Sequence, residues 1–102
     1  MRMVLAVLKP AHVESVREAL AAVQVKRLTI CDAQGFDPAA GGGIVQEAIF
    51  EIAVNDDFVD RTVGTIAATL AAAGTESDGR VLVLPMEEAV QLYREVRGPE
   101  AV

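Results

Sequence analysis

Apolar residues follow two different periods along the chain, and the changes of period divide it into strands and helices. The segment 1–9 is apolar at most positions, as expected of a buried strand, and Pro10 ends it. From residue 11 to residue 23, apolar side chains recur at steps of three and four, which predicts a helix with one buried face. That face consists of Val13, Val16, Ala19, Leu20 and Val23, and the solvent side carries Glu14, Arg17 and Glu18.

The rest of the chain predicts a second half of the same kind. Three further strands are predicted, over residues 27–33, 47–54 and 80–85. Asn55 or Asp56 is expected to cap a second helix. The buried stripe of that helix is Val59, Val63, Ile66, Leu70 and Ala73. The order β-α-β-β-α-β predicts an α+β, ferredoxin-like sandwich, built as a single domain over residues 1–102.

Two segments are expected to be less regular. Residues 35–43 contain four glycines and a proline, which predicts a mobile loop. Residues 87–94 are expected to form a short turn followed by a further strand or helix.

Both helices of such a sandwich cover one face of the sheet. A sheet whose other face meets solvent alternates between apolar and polar residues, yet residues 4–8 and 81–84 are apolar throughout. Burial of the second face against other copies of the chain explains this pattern most simply. We therefore expect an oligomer.

Composition and charge exclude several classes of function. The net charge is −6, and the nine lysines and arginines form no stripe, so nucleic acid is not expected as a partner. No apolar run approaches the roughly 20 residues of a membrane span, and the first residues do not resemble a signal peptide. We expect a cytoplasmic protein that does not insert directly into membranes.

Catalytic and metal sites are also not expected. Cys31 is the one cysteine, which excludes an intrachain disulfide, and His12 is the one histidine. The two are far apart in the pattern, and a zinc site needs three or four ligands. No Ser/His/Asp or Cys/His set with supporting residues is visible, and a single histidine leaves little capacity for general-base chemistry. We predict that the protein is not an enzyme and has no metal site.

The segment 73–85 is the strongest candidate for ligand chemistry. A helical pattern ends in a small polar loop with Gly74 and Gly79, and a strand begins at once with Arg80. Amide N–H groups in such a loop can form an anion-binding concavity, with Arg80 as the counter-charge. Ser77 and Asp78 offer short acceptors. The alternative is a helix C-cap followed by an ordinary turn.

Several motifs together resemble the PII signal transduction family. They are Leu8-Lys9-Pro10, Val16-Arg17-Glu18-Ala19-Leu20, Gly35-Phe36 before a loop, Phe50-Glu51-Ile52-Ala53-Val54, Ser77-Asp78-Gly79-Arg80 and the tail from Pro85 onward. The similarity runs nearly end to end in the same order. It implies a homotrimer with adenine nucleotides in three clefts between subunits, and a flexible loop that docks on a transporter or enzyme.

The resemblance also implies a set of ligand-binding residues. Gly35, Phe36 and Asp37 are expected at the cleft edge, and Thr29 and Glu51 near the nucleoside. The phosphate loop is expected to consist of Gly74, Thr75, Ser77, Asp78, Gly79 and Arg80. The nucleotide would be a sensed ligand (ADP, AMP or ATP) and not an obligatory cofactor.

The sequence departs from the family pattern at the docking loop and the phosphate side. The loop, taken as residues 37–46, is short and has no tyrosine to modify. Gln91 and Tyr93 stand where the family has two arginines. We expect ADP or AMP to compete well with ATP, or a different anion to bind. We also expect no channel plugging, no tyrosine switch and no ordinary 2-oxoglutarate response.

Two functions remain open. The first is a metabolite-sensing regulator of an unknown protein target. The second is a trimeric interaction module that has lost nucleotide sensing, since the phosphate side is altered at Ser77, Gln91 and Tyr93. A metal-binding protein of similar fold is disfavoured by the poor set of ligands.

Overall fold

The first strand lies inside the sheet, with a neighbouring strand on each side. The computed structural model describes residues 1–74 and 79–102. Its helices and main strands are β1 (Arg2–Leu8), α1 (Val13–Ala22), β2 (Thr29–Phe36), β3 (Ile44–Val54), α2 (Val59–Ala72) and β4 (Arg80–Pro85). The sheet order is β2-β3-β1-β4 with every neighbouring pair antiparallel. This is the predicted β-α-β-β-α-β arrangement.

The core lies between one face of the sheet and the two helices. Alternate residues of β1 and β3 point into it and are fully or almost fully buried: Val4, Ala6, Leu8, Phe50 and Ile52. Val16 and Leu20 of α1, and Ile66 and Leu70 of α2, close it from the other side. The three- and four-residue spacing of these helix positions predicted that face correctly.

The buried stripe of α2 differs from the prediction at two positions. Thr62 is completely buried, although it is polar, because its Oγ1 donates a hydrogen bond to the Phe58 carbonyl oxygen at 2.8 Å. Ala73 is exposed, because the helix has already ended when it is reached. Gly74 follows it with a φ of +73°, a conformation that suits glycine at a helix end.

The expected side-chain cap before α2 is absent. A 3₁₀ turn, Asp56–Phe58, precedes the helix, and neither Asn55 nor Asp56 accepts a capping hydrogen bond from it. Asn55 Nδ2 donates to the Pro99 carbonyl oxygen at 3.0 Å. Asp56 Oδ1 accepts from the Met1 ammonium at 2.9 Å. Both side chains therefore fasten the two ends of the chain to the β3–α2 connection.

The hairpin of β2 and β3 extends beyond the rest of the sheet. β1 ends opposite Ala48, whereas β2 and β3 remain paired as far as Phe36 and Ile44. The predicted loop boundaries are therefore wrong: Gly35 and Phe36 lie in β2, and residues 44–46 lie in β3. We call residues 33–47 the hairpin arm. The arm helps to give the molecule its elongated shape, with principal extents of 47, 25 and 20 Å.

The tip of the arm, residues 37–43, has local structure of its own. Asp37 Oδ1 accepts a hydrogen bond from the Ala39 amide at 2.9 Å, and a 3₁₀ turn spans Pro38–Ala40. Gly41 and Gly42 have φ values of +83° and +76°, which side chains other than glycine rarely adopt. The mobility of this segment stays a prediction.

The sheet face opposite the helices is largely apolar, as expected. The register places Met3, Leu5 and Val7 of β1 on it, next to Leu84 and Leu82 of β4. Leu82 and Leu84 remain 46% and 41% exposed. We call this surface the open face.

The C-terminal segment forms a small hairpin of two strands, β5 (Val90–Gln91) and β6 (Val96–Arg97). The prediction of a turn and a further strand is therefore correct. Tyr93 and Arg94 both lie in the connecting turn. Within residues 1–74 and 79–102, neither helix has the length and hydropathy to span a membrane.

Candidate ligand-binding cleft

A cleft of about 690 Å³ lies between the end of the open face and the hairpin arm. It is lined by the end of β1, both strands of the arm and the start of β4. These elements meet because β1 stops at Leu8 while the arm continues past it. Beyond the end of β1, the edge of β3 therefore faces an open space and not a neighbouring strand.

Among the described residues, Arg80 and Lys9 are cations that line the cleft. Arg80 is paired with Val7 in the β1–β4 register, so its side chain leaves the sheet on the open face. Lys9 follows β1 directly. Within the described ranges the guanidinium of Arg80 has no carboxylate within ion-pair distance. The cleft therefore offers positive charge to an anionic ligand.

Among the described residues, Asp37 and Glu47 bring carboxylates to the same cleft. Asp37 is occupied by its hydrogen bond with the Ala39 amide. Glu47 lies in β3, one position beyond the residue that pairs with the end of β1. Its carboxylate lies against Gly35: a Cβ atom at that glycine would be only 2.5 Å from Glu47 Cδ and Oε1. The absence of a side chain at residue 35 gives this carboxylate its space.

Gly79 shapes the cleft floor through close packing. A Cβ atom there would lie 2.8 Å from Leu70 Cδ1 and 3.3 Å from Leu8 Cδ2. Both leucines are buried in the core. Because Gly79 has no side chain, its backbone can pack directly against the core just before β4 begins. This places Arg80, the first residue of β4, at the cleft.

The structure brings part of the predicted site together. Phe36, Asp37, Gly79 and Arg80 all line the cleft, and Gly35 contacts one of its carboxylates. Gly74 ends α2 and is not part of the lining. Thr75, Ser77 and Asp78 lie outside the described residues, so the expected phosphate loop is described only at its two ends.

Thr29 and Glu51 lie apart from this group. They are paired across β2 and β3, both are exposed, and neither lines the cleft. They lie on the open face, several residues from the arm. Within a single chain they do not contribute to the candidate site.

Lys9, Gln46 and Glu47 line the cleft but were not among the predicted site residues. The sequence signal was weak. Lys9 looks like an ordinary charged residue after a strand, and Gln46 was assigned to the loop. Their proximity depends on β1 ending before the arm does, which the apolar pattern does not reveal.

A metal centre is not apparent in the structure. Across residues 1–74 and 79–102, no three histidine, cysteine, aspartate or glutamate side chains come together in a way that could hold a metal ion. Cys31 is exposed on β2, and its thiol is free.

The sequence matches the family model described as "Nitrogen regulatory protein P-II" over residues 1–96. Among curated proteins, it is 27% identical to nitrogen regulatory protein GlnK1 of Methanosarcina mazei, covering 100% of this chain and 97% of the relative. It is 32% identical to nitrogen regulatory protein P-II of Rhizobium etli, covering 90% of this chain and 91% of the relative.

The fold is similar to that of a solved protein of the same kind. The crystal structure of Arabidopsis thaliana PII bound to citrate superposes with a TM-score of 0.85 at 28% sequence identity. The match covers 99% of this chain and 91% of that chain. The predicted α+β, ferredoxin-like fold is thereby confirmed.

Proposed function

The chain belongs to the nitrogen regulatory protein P-II family, and on that premise we propose that it is a non-catalytic signal transduction regulator that senses a small anionic metabolite. The observation that carries this proposal is that Arg80 and Lys9 line one cleft together with Phe36 and Asp37 of the hairpin arm. A ligand held there contacts the sheet and the arm at once. It can therefore change how the arm is held.

The ligand that we propose first is an adenine nucleotide, as ADP, AMP or ATP. A guanidinium and an ammonium group suit phosphate oxygens, which accept charge-assisted hydrogen bonds. Citrate is the main competitor, because the Arabidopsis relative is described as bound to it. Both are small anions with several acceptor oxygens.

We further propose that three copies of the chain assemble through their open faces. Leu82 and Leu84 expose apolar surface that assembly would remove from water. The cleft lies at the edge of this surface, so a neighbouring subunit would cover it. Thr29 and Glu51 on the open face would then join the cleft of another subunit.

The signal would pass to a protein target, either a transporter or an enzyme, through the hairpin arm. Phe36 and Ile44 form a cross-strand pair near the arm tip and are 68% and 67% exposed. An exposed aromatic residue beside a β-branched one is a suitable anchor for a protein interface.

Isothermal titration calorimetry with ADP, AMP, ATP and citrate tests the proposal. The variant Arg80→Ala should weaken a phosphate ligand by about 1.5–3 kcal/mol, the range for a hydrogen bond to a charged group. Arg27→Ala is the matched control, since Arg27 is an exposed arginine that does not line the cleft. Unchanged affinity in Arg80→Ala would make Arg80 purely structural.

The alternative function predicts a different calorimetric result. If none of the four ligands produces heat, the protein is better described as a trimeric interaction module without sensing. A pull-down from native lysate, with and without nucleotide, separates the two functions. The partner that a sensor captures should change when nucleotide is added, whereas the partner of an interaction module should not.

A further inference from the structure

We propose that Glu47 determines the specificity of the cleft: it disfavours ligands that are anionic throughout and selects those that place a hydrogen-bond donor beside their anion. This inference rests on the proposed function, because it concerns the ligand of the same cleft. It assigns a role to a residue that neither the sequence pattern nor the family resemblance singled out.

The position of the Glu47 carboxylate is set by its neighbours. Residue 47 is paired with Ala33 in the hairpin arm, and its side chain leans across the strand to Gly35, where no side chain is present. The carboxylate therefore lies over the backbone of β2 at the cleft wall. Strand pairing fixes the backbone from which this side chain reaches the cleft wall.

Glu47 differs from Asp37, which also lines the cleft, in what it contacts. Asp37 already accepts a hydrogen bond from the Ala39 amide. The carboxylate of Glu47 has no hydrogen bond or ion pair with any residue of the described ranges, and it is half-buried. A carboxylate in that state has unused acceptor capacity on both oxygens.

Two of the charged groups that line the cleft therefore make opposite demands on a ligand. Arg80 provides donors only, so it needs an anion or an acceptor. Ionised Glu47 provides acceptors only, so it repels an anion and needs a donor such as a hydroxyl, amine or ammonium group. A nucleotide carries both kinds of group, since its phosphates accept and its ribose hydroxyls and adenine amine donate. A simple polyanion carries only the first kind.

Inorganic pyrophosphate and ADP form a probe pair that isolates this effect. Pyrophosphate reproduces the diphosphate of ADP without the hydroxyl and amine donors of the nucleoside. Calorimetry is performed with the full-length protein in buffer free of divalent cations, so that no metal ion supplies the positive charge. Wild-type protein should bind ADP and should bind pyrophosphate at least about tenfold more weakly.

The test variant is Glu47→Gln, which keeps the shape of the side chain and adds a donor. Removing one like charge near the ligand should raise pyrophosphate affinity by on the order of tenfold. ADP affinity should change much less, so the ratio of the two affinities should fall. Asp32→Asn is the matched control. It removes the same charge from an exposed residue that directly precedes the hairpin arm and does not line the cleft, so it should keep the wild-type ratio of affinities.

The outcomes separate this inference from the proposed function. If wild-type protein binds ADP but the ratio is the same in Glu47→Gln, then Glu47 does not select the ligand and only this inference is overturned. This inference is also overturned if Glu47→Gln raises the affinity for both ligands equally, since Glu47 would then repel anions without selecting for a donor. If wild-type protein binds neither ligand, the proposed function fails and this inference with it. Thermal melting checks that the variant is folded.

Discussion

Gly79 lies against the core and Gly35 lies under a surface carboxylate, so the same substitution should act differently at the two positions. In Gly79→Ala the new Cβ would be 2.8 Å from Leu70 Cδ1, and both Leu70 and Leu8 are buried and unable to move freely. Overpacking of this kind costs about 1–3 kcal/mol. We expect the free energy of unfolding to fall by that amount in urea denaturation.

Gly35→Ala is the matched comparison. The atoms that its Cβ would meet are the far end of the flexible Glu47 side chain, which can swing aside. The free energy of unfolding should therefore change by less than about 0.5 kcal/mol, as for surface substitutions in general. Equal losses in the two variants would contradict the packing explanation of Gly79.

The pair of Glu14 and Arg17 makes a pH-dependent contribution to the stability of the fold. Arg17 Nη2 donates to Glu14 Oε2 at 2.8 Å, and this hydrogen bond and the adjacent charge lower the pKa of the Glu14 carboxyl. A lowered folded-state pKa gives stability that is present above the ordinary glutamate pKa, about 4.3, and is lost as the pH falls through the folded-state value. Glu14→Gln should lower the Tm slightly at pH 7.

Glu14→Gln should not lower the Tm at a pH at which Glu14 is protonated in both the folded and the unfolded state. Melting curves of wild type and Glu14→Gln at pH 7 and at acid pH provide the measurement. A deficit of the same size at both pH values would show that the pair acts through packing and not through charge.

Single residues of the site differ in how visible they are in the sequence. Arg80 is recognisable because it stands between a glycine-bearing loop and an apolar strand. Glu47 is not, since its importance depends on Gly35 in another strand and on the point at which β1 ends. Asn55 was misjudged for a similar reason: its partner, Pro99, lies 44 residues away.

At the scale of elements, the two helices and the inner strands were predictable because their apolar periods differ from each other. The hairpin arm was not, because Gln34, Gly35 and Gln46 lack the apolar alternation of a strand. Pairing between β2 and β3 imposes the extended conformation there despite weak local preference. The length of a paired strand therefore depends on both of the segments that pair and cannot be read from one of them alone.

The turn at the arm tip can be tested with two glycines that are adjacent to open space. Gly41 has a φ of +83°, whereas Gly43 does not have a left-handed φ, and a Cβ atom at either would meet nothing within 4 Å. Gly41→Ala should therefore be strained by about 1–2 kcal/mol. Gly43→Ala should be neutral or slightly stabilising. Urea denaturation measures both, and a loss in Gly43→Ala alone would contradict this account of the turn.

At the scale of the whole molecule, the sequence allowed the fold to be predicted more completely than the site. Order and type of elements follow from local periods, and the resemblance to the family extends over nearly the whole chain. The apolar open face was also predictable, from strands without alternation. The cleft depends on the relative lengths of three strands, which local patterns do not encode.

Assembly through the open face can be tested by placing a charge on it. Leu82→Glu introduces a carboxylate next to Leu5 at the centre of that face, where it would have to be desolvated in a trimer. Light scattering at micromolar concentration should give three times the chain mass for wild type and a lower mass for Leu82→Glu. Ala67→Glu, on the exposed side of α2, should leave the mass unchanged. A monomeric wild type would contradict the assembly proposal.

The central claim is that a ligand in the cleft changes the state of the hairpin arm, and amide hydrogen exchange measures this most directly. Saturating ADP should slow exchange in residues 33–47, because a bound ligand would contact Phe36 and Asp37 and hold the glycine-rich tip in fewer conformations. Amides of α1 should be unaffected. Unchanged exchange throughout the arm, at an ADP concentration shown by calorimetry to fill the site, would contradict the account.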